Sequence, residues 1–427
     1  MIAPRTELSV TPVLLDQSAG RAGRSRPSRL NPVQRLAWIA VTLIAGGAAV
    51  KYSAPISVNP PLALEPASAP WARAPQSVGE VGTPRFERGW VSPEAQLAHV
   101  HCSMVSALPS GDLLALWYGG SREGAADVAV FTSRMTAGTK TWGPPIKVLD
   151  RASVEGELGR RIKKIGNTVI FPDRTGRLWM VYASVSLGGW SGCALNIKSS
   201  PDAGLTWGPS QRLTLNAFFN MSTLVRNKPI YAADGRIGLP VYHEMATKFP
   251  QILWFQPGPD GTVEDYKVRN LSASKGLIQP VLVALGGDQV LMMLRDTSSQ
   301  RSLRTSLSTD NGWTWPDPTP SSLPNPDAPV DALRLADGRI LLAYNHASSG
   351  RETLGLSLST DEGRTWKKHS VLERETEKEF SYPQLTQGPG GMIHLTYTWK
   401  RERIGHIAFN LGWLDQYREP AGGLPPP

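Results

Sequence analysis

Six mostly apolar segments recur along the chain at a nearly constant interval, and each follows a glycine in a turn. A half-exposed strand shows strict apolar–polar alternation, and most of these segments lack it. Their nearly continuous apolar residues are typical of strands buried on both faces. The leading glycines lie 51 to 65 residues apart, and such a period indicates repeated supersecondary units. The segments are Gly111–Trp117, Gly176–Tyr182, Gly235–Tyr242, Gly287–Leu294, Gly338–Tyr344 and Gly391–Tyr397.

A second repeat has the pattern Ser-x-Asp-x-Gly-x-Thr-Trp. It occurs at Ser200–Trp207, Ser308–Trp315 and Ser359–Trp366. A degenerate copy ends at Thr141-Trp142, and Gly258–Gly261 has the composition of a worn copy. The Ser and Asp side chains can bond turn amides, the glycine can adopt a positive φ, and the Trp can fill the space between units. The pattern therefore predicts a tight hairpin turn.

This octapeptide resembles the Asp-box of sialidases and several other β-propellers. Six repeats of about this length fit six four-stranded blades. We therefore expect an all-β, six-bladed, sialidase-like β-propeller over residues 85–415. Its ring should close near Ile404–Asn410, with a strand at Phe86–Trp90 completing the last blade.

The region before the propeller differs in composition. Residues 1–35 form a basic arm, and residues 36–50 (LAWIAVTLIAGGAAV) carry no charge. This run predicts a membrane anchor or the apolar core of a cleaved secretion signal. The arginines before it place the arm in the cytoplasm and the propeller outside, periplasmic or extracellular. A Pro-rich linker at 51–84 and an unstructured tail at 416–427 complete the expected organisation.

Composition narrows the functional classes. The formal net charge is +9, but residues 1–51 hold seven basic and two acidic residues and so account for more than half of it. No basic stripe with interleaved aromatics follows, so we expect no nucleic-acid partner. With 2 cysteines and no cluster at metal-ligand spacing, we expect neither a disulfide framework nor a metal or cofactor. We also expect a monomer.

The resemblance to sialidases implies catalytic residues at particular positions. The loop after the first apolar segment resembles the family's acid/base loop, with Asp127 as the expected proton donor and Glu123 as its competitor. Glu379–Leu385 resembles the segment that holds the family's tyrosine nucleophile, which would be Tyr382. A neutral phenol approaches a carboxylate-bearing anomeric carbon more easily than a charged carboxylate does. Glu244 or Glu379 would take its proton.

The implied substrate-binding residues follow the same register. Arg295 and Arg351 resemble the second and third arginines of the triad that binds the sugar carboxylate. The position of the first arginine holds His101, and the family's glutamate falls near Gln279. Arg122, beside Glu123, could supply the missing cation. The basic run Arg160–Lys164 could also supply it.

Three functions stay open. The first is a retaining exo-glycosidase of the sialidase type that acts on terminal sialic acid or a related anionic sugar of a glycan. The second is a glycosidase or lyase for another acidic sugar, such as a uronic or keto-deoxy acid, which His101 and Gln279 favour. The third is a non-catalytic Asp-box propeller for glycan binding or envelope assembly.

Overall fold

The computed structural model describes residues 31–33, 36, 63–64, 83–92, 97–216, 220–245, 247–272, 275–388 and 390–416. The chain divides into two units, residues 1–54 and 55–427. The predicted arm, the predicted membrane segment and the predicted tail lie almost entirely outside the described residues, as does most of the linker. Within the described ranges, no helix combines the length and apolar character needed to cross a membrane.

The described part of residues 55–427 forms a six-bladed β-propeller, as the repeat predicts. Each blade is one antiparallel sheet. The strands in chain order are β1 (Phe86–Trp90); β2 (His99–Ala107), β3 (Leu113–Gly120), β4 (Ala129–Met135) and β5 (Ile146–Asp150) in blade one; β6 (Lys164–Pro172), β7 (Leu178–Val185), β8 (Cys193–Ser200) and β9 (Gln211–Arg212) in blade two; β10 (Thr223–Val225), β11 (Ile230–Tyr231), β12 (Ile237–His243), β13 (Phe249–Pro257) and β14 (Val263–Asn270) in blade three; β15 (Leu277–Gly286), β16 (Gln289–Asp296), β17 (Ser302–Ser308) and β18 (Thr319–Pro324) in blade four; β19 (Asp331–Arg334), β20 (Ile340–Tyr344), β21 (Thr353–Ser359) and β22 (Lys367–Arg374) in blade five; and β23 (Phe380–Gln387), β24 (Ile393–Trp399) and β25 (Arg403–Phe409) in blade six.

Within the described part of residues 55–427, two short α-helices accompany the sheets, α1 (Arg151–Leu158) and α2 (Leu411–Gln416). Helix α1 begins at a capping box, in which the Asp150 side chain accepts from the Ser153 amide at 2.9 Å. It ends at Gly159, whose φ of 59° suits a left-handed C-cap. These local signals explain a helix that has only Val154 buried.

The glycine-led apolar segments provide the second strand of each blade, from β3 to β24. These strands are buried along most of their length, including Trp117, Trp179 and Tyr344. Blades stack face to face around the ring, so both faces of such a strand contact neighbouring blades. This explains why their apolar residues run together rather than alternate.

The ring closes where the sequence predicts. Strand β1 pairs with β25, with Phe86 opposite Phe409 and Trp90 opposite Gly405. The sheet order in blade six is β1-β25-β24-β23. One blade therefore joins the two ends of the propeller sequence.

Each Asp-box forms the turn between the third and fourth strands of its blade. In the copy that follows β21, the Gly363 amide donates to Ser359 Oγ at 2.8 Å and the Thr365 amide donates to Asp361 Oδ1 at 2.8 Å. Gly363 has a φ of 87°. The Trp366 indole donates to the Gly363 carbonyl at 3.1 Å and packs against the blade core. The turn is closed by side chains that the motif conserves between copies.

Candidate functional site

Each blade holds a non-glycine residue with a positive φ near the start of its first strand. In blades one, two, four and six the strand register also shifts there. Such backbone costs about 1–3 kcal/mol per residue and re-aims the neighbouring side chains. The residues, with φ between 46° and 70°, are Cys102, Asn167, Ser222, Gln279, Asp327 and Tyr382.

These six positions lie on one rim of the propeller. In an antiparallel blade, the first strand starts and the second strand ends on the same side of the propeller. The Asp-boxes follow the third strands and therefore lie on the opposite side. Polar side chains near these six positions and in the turns after the second strands consequently meet around the centre of one rim.

Tyr382 is the centre of this cluster. It lies in β23 with a φ of 55° and is partly buried. Its ring centroid is 4.4 Å from that of His101. The guanidinium carbons of Arg226 and Arg351 lie 5.1 Å and 5.7 Å from the tyrosine ring. Two cations and an imidazole therefore surround the predicted nucleophile.

Arg295 and Arg351 both contact Asp327, which lies between them in the network. Arg295 Nε lies 2.6 Å from Asp327 Oδ1, and Arg351 Nη2 donates to the Asp327 carbonyl at 2.9 Å. Arg295 also donates to Gln279 Oε1 at 3.1 Å. Burial acts to lower the pKa of Arg295, but Tyr382 and Asp327 outweigh it, and the pKa is raised. The two predicted arginines belong to one network.

Glu379 continues the network toward blade one. Its carboxylate is 3.1 Å from Arg351 Nη1 and 2.6 Å from Arg401 Nε. Burial acts to raise the pKa of Glu379, but hydrogen bonds from Arg401 and Ser381 hold the pKa below its usual value. Arg401 Nη1 also lies 3.0 Å from Glu123 Oε2. Glu123 is thereby tied to the same cluster as Tyr382.

His101 and Gln279 occupy the two positions where the sequence departs from the family pattern. His101 is fully buried, and neither ring nitrogen has a hydrogen-bond partner among the described residues. Burial and then the charge of Arg401 hold the pKa of His101 well below 6.5, so the imidazole is neutral at pH 7. Gln279 donates to the Tyr242 hydroxyl at 3.4 Å.

Three predicted site residues do not join the cluster. Asp127 is held in its own loop, where Ser121 donates to it through its amide and its hydroxyl, both at 2.9 Å. Those bonds lower the pKa of Asp127. Arg122 is exposed. Glu244 follows β12, and its carboxylate lies 3.8 Å from Lys248 Nζ. No hydrogen bond joins any of the three to Tyr382 within the described part of the chain.

Sequence reasoning missed Arg226, Asp327 and Arg401. Arg401 lies ten residues after Gly391, whereas Arg295 lies eight residues after Gly287, so the repeat register does not assign it. The register does not assign Arg226 either, which follows the short strand β10. In the basic run Arg160–Lys164, the ammonium group of Lys164 lies 4.0 Å from the centroid of the Trp190 ring.

No group of three His, Cys, Asp or Glu suited to a metal ion occurs among the described residues. Cys102 and Cys193 are buried free thiols.

Comparison with known proteins agrees with the architecture. The model of the BNR repeat-like domain matches residues 111–395. No curated protein matches the sequence. Among solved structures, the Hadza microbial sialidase Hz136 is similar with a TM-score of 0.63 at 17% identity, covering 76% of this chain and 68% of its own.

For two further solved structures, the match extends over nearly the whole length of the other protein. A protein of unknown function from Dyadobacter fermentans has a TM-score of 0.60 at 14% identity, covering 77% of this chain and 99% of its own. The intramolecular trans-sialidase from Ruminococcus gnavus has a TM-score of 0.59 at 15% identity, covering 77% and 98%. At these identities the likeness shows a shared fold.

Proposed function

Because the chain belongs to the BNR repeat-like domain family, and its fold is that of sialidases, we propose that it is an exo-glycosidase of the sialidase type. Its substrate would be a glycoconjugate ending in sialic acid or a related anionic sugar, cleaved with retention of configuration. A substrate with one carboxylate beside the reacting carbon suits a rim at which guanidinium groups surround a tyrosine.

The observation that carries this proposal is the position of Tyr382. A strained bulge holds its ring against His101, and Arg226 and Arg351 approach the same ring. Strain of this kind is retained where surrounding structure enforces it, and it is common at functional sites. Cations beside a phenol also stabilise negative charge that develops on its oxygen.

In the proposed reaction, the Tyr382 oxygen attacks the anomeric carbon while a carboxylic acid protonates the departing glycosidic oxygen. Water then releases the sugar from the tyrosine. Glu123 is favoured by its position, because it contacts the cluster through Arg401, and this ion pair has to open before Glu123 carries the proton that it donates. Asp127 is the alternative, and it would first have to leave its bonds to Ser121.

The proton of Tyr382 needs an acceptor. Glu379 is ionised and already receives hydrogen bonds from Arg351, Arg401 and Ser381, which weakens it as a base. Glu244 forms only a 3.8 Å ion pair with Lys248. His101 contacts the tyrosine ring, but burial and the charge of Arg401 hold its pKa well below 6.5, so it accepts a proton poorly. Glu379 is therefore the favoured acceptor, because Arg351 contacts both its carboxylate and the ring of Tyr382.

The test is Tyr382→Phe, assayed with a fluorogenic sialoside. Removing the nucleophilic oxygen is expected to lower kcat by at least about 10³-fold, as loss of a nucleophile does in other hydrolases. Tyr266→Phe is the matched control, because the Tyr266 hydroxyl accepts from Thr214 in the blade two–three region, away from Tyr382. A Tyr382→Phe protein that keeps the wild-type rate would end this mechanism.

A second candidate follows from His101 and Gln279, which stand where the family pattern has an arginine and a glutamate. A site so altered suits a different acidic sugar, such as a uronic acid. A panel of fluorogenic glycosides separates the two functions. Cleavage of uronosides without cleavage of sialosides would favour the second candidate.

A further inference from the structure

Six charged side chains alternate in sign along the functional rim. In order they run from blade four through blades five and six to blade one. The ion pairs are 2.6 Å from Arg295 to Asp327, 3.1 Å from Arg351 to Glu379, 2.6 Å from Glu379 to Arg401 and 3.0 Å from Arg401 to Glu123. The Asp327 carbonyl completes the connection to Arg351. The residues are Arg295, Asp327, Arg351, Glu379, Arg401 and Glu123.

Arg401 enters this row from an unexpected element, the turn between β24 and β25. Two backbone bonds fix that turn against blade one and the start of β23. The Arg401 carbonyl accepts from the Val100 amide at 2.9 Å, and the Lys400 amide donates to the Glu379 carbonyl at 2.7 Å. Val100 precedes His101, so the turn lies beside the place where β2 supplies an imidazole rather than a guanidinium.

The side chain of Arg401 is placed to share one anion with Arg351. Both guanidinium groups bind the carboxylate of Glu379, one at each oxygen. About a third of the Arg401 side chain is exposed, at 32%, compared with 20% for Arg351 and 13% for Arg295. Arg401 is therefore the most solvent-exposed of these three cations. Its Nη2 has one long contact, 3.4 Å to Glu379.

We propose that Arg401 is the third cation that binds the carboxylate of the acidic sugar, in place of an arginine from strand β2. This inference rests on the proposed function and adds to it a residue that lies outside the predicted arginine positions. A guanidinium suits this role because its planar donors match a carboxylate. Its bond to Glu123 also couples substrate binding to the favoured proton donor.

The test is calorimetric binding of N-acetylneuraminic acid and of its methyl ester, which lacks the charge. Arg401→Gln is expected to weaken binding of the acid at least about tenfold, the equivalent of one charged hydrogen bond. Binding of the ester should change by less than about threefold, because a neutral ester gains little from the cation. Arg401→Lys should lie between wild type and Arg401→Gln.

Two controls separate binding from folding. Arg364→Gln removes an exposed guanidinium at an Asp-box, paired with Glu362, and should leave both affinities unchanged. Thermal melting of each variant establishes that it is folded.

Equal losses for acid and ester in Arg401→Gln would overturn the inference and assign Arg401 a purely structural role. Unchanged affinity for the acid would overturn it as well. In either case, wild-type binding of the acid leaves the proposed function standing. Wild-type protein that binds neither N-acetylneuraminic acid nor a uronic acid overturns the proposed function and this inference together.

Discussion

His394 and His406 show how burial sets the charge of single side chains in this propeller. Their rings stack with centroids 5.3 Å apart, and a hydrogen bond of 3.1 Å joins them. The Trp142 indole donates to His406 at 3.1 Å. Burial lowers the pKa of His394 to about 4 and that of His406 to about 3. Both imidazoles are therefore neutral in the folded protein at pH 7.

This pair predicts a loss of stability in mild acid. In the unfolded chain each histidine binds a proton below about pH 6.5, whereas the folded chain resists protonation until near its lower pKa. The free energy of unfolding should therefore fall between pH 6.5 and pH 5, by up to about 2 kcal/mol for each histidine. Urea unfolding at both pH values measures this loss.

The double variant His394→Gln, His406→Gln removes the titration but keeps polar groups. It should be less stable than the wild type at pH 7, with a smaller change down to pH 5. If the free energy of unfolding falls between pH 6.5 and pH 5 as much in the double variant as in the wild type, other groups cause the acid sensitivity.

Individual site residues differ in how far sequence could predict them. Tyr382, Arg295 and Arg351 were predicted from the resemblance to sialidases, applied in the register of the repeat, and the structure brings them into one cluster. Their catalytic and binding roles remain predictions. Arg226 and Asp327 could not be found, because their importance depends on which blades are neighbours across the rim. The spacing of residues along the sequence does not give the distance between side chains of different blades.

At the level of elements, the Asp-box is a turn held together by its own side chains. Asp202 and Asp361 each accept hydrogen bonds from the amide and hydroxyl of a threonine four residues later, at 2.8 Å and 2.5 Å. Those bonds lower the pKa of both carboxyls from 3.8 to about 2. The ionised form is the one that closes the turn.

The boxes should therefore contribute stability above about pH 4 and lose it as the pH falls toward 2. Asp361→Asn is expected to reduce stability at pH 7, since it removes one charged acceptor, and to flatten the decline between pH 4 and pH 3. Chemical denaturation followed by circular dichroism measures both effects. Asp265→Asn, an exposed position on β14, is the control. Equal slopes for Asp361→Asn and the wild type would contradict the prediction.

For the whole molecule, a buried ion pair ties the strand that closes the ring to the neighbouring blade. Arg88 of β1 forms a salt bridge with Glu373 of β22, which also accepts from the Tyr397 hydroxyl. The two charged side chains are 9% and 8% exposed. Arg88 also donates to the Leu372 carbonyl at 2.7 Å. Blade six, blade five and the N-terminal strand are thus joined by one buried ion pair.

Arg88→Leu should destabilise the propeller by about 3–5 kcal/mol, because it leaves the Glu373 carboxylate buried without a cation. Adding Glu373→Gln should recover part of that loss by removing the uncompensated charge. Arg364→Leu, which breaks an exposed pair, should cost no more than about 1 kcal/mol. Guanidinium chloride unfolding compares the three. If Arg88→Leu costs no more than Arg364→Leu, the join does not depend on this pair.

The sequence by itself determined the six blades, the Asp-box turns and the strand that closes the ring. These features depend on local spacing and turn chemistry, which repeat along the chain and need no knowledge of distant contacts. Only the tertiary structure decided which charged groups meet at the functional rim. Arg401 reaches Glu123 across 278 residues, and six residues with a positive φ aim side chains around the same rim. Such contacts depend on which blades become neighbours and how far apart their side chains lie, and no local pattern encodes those distances.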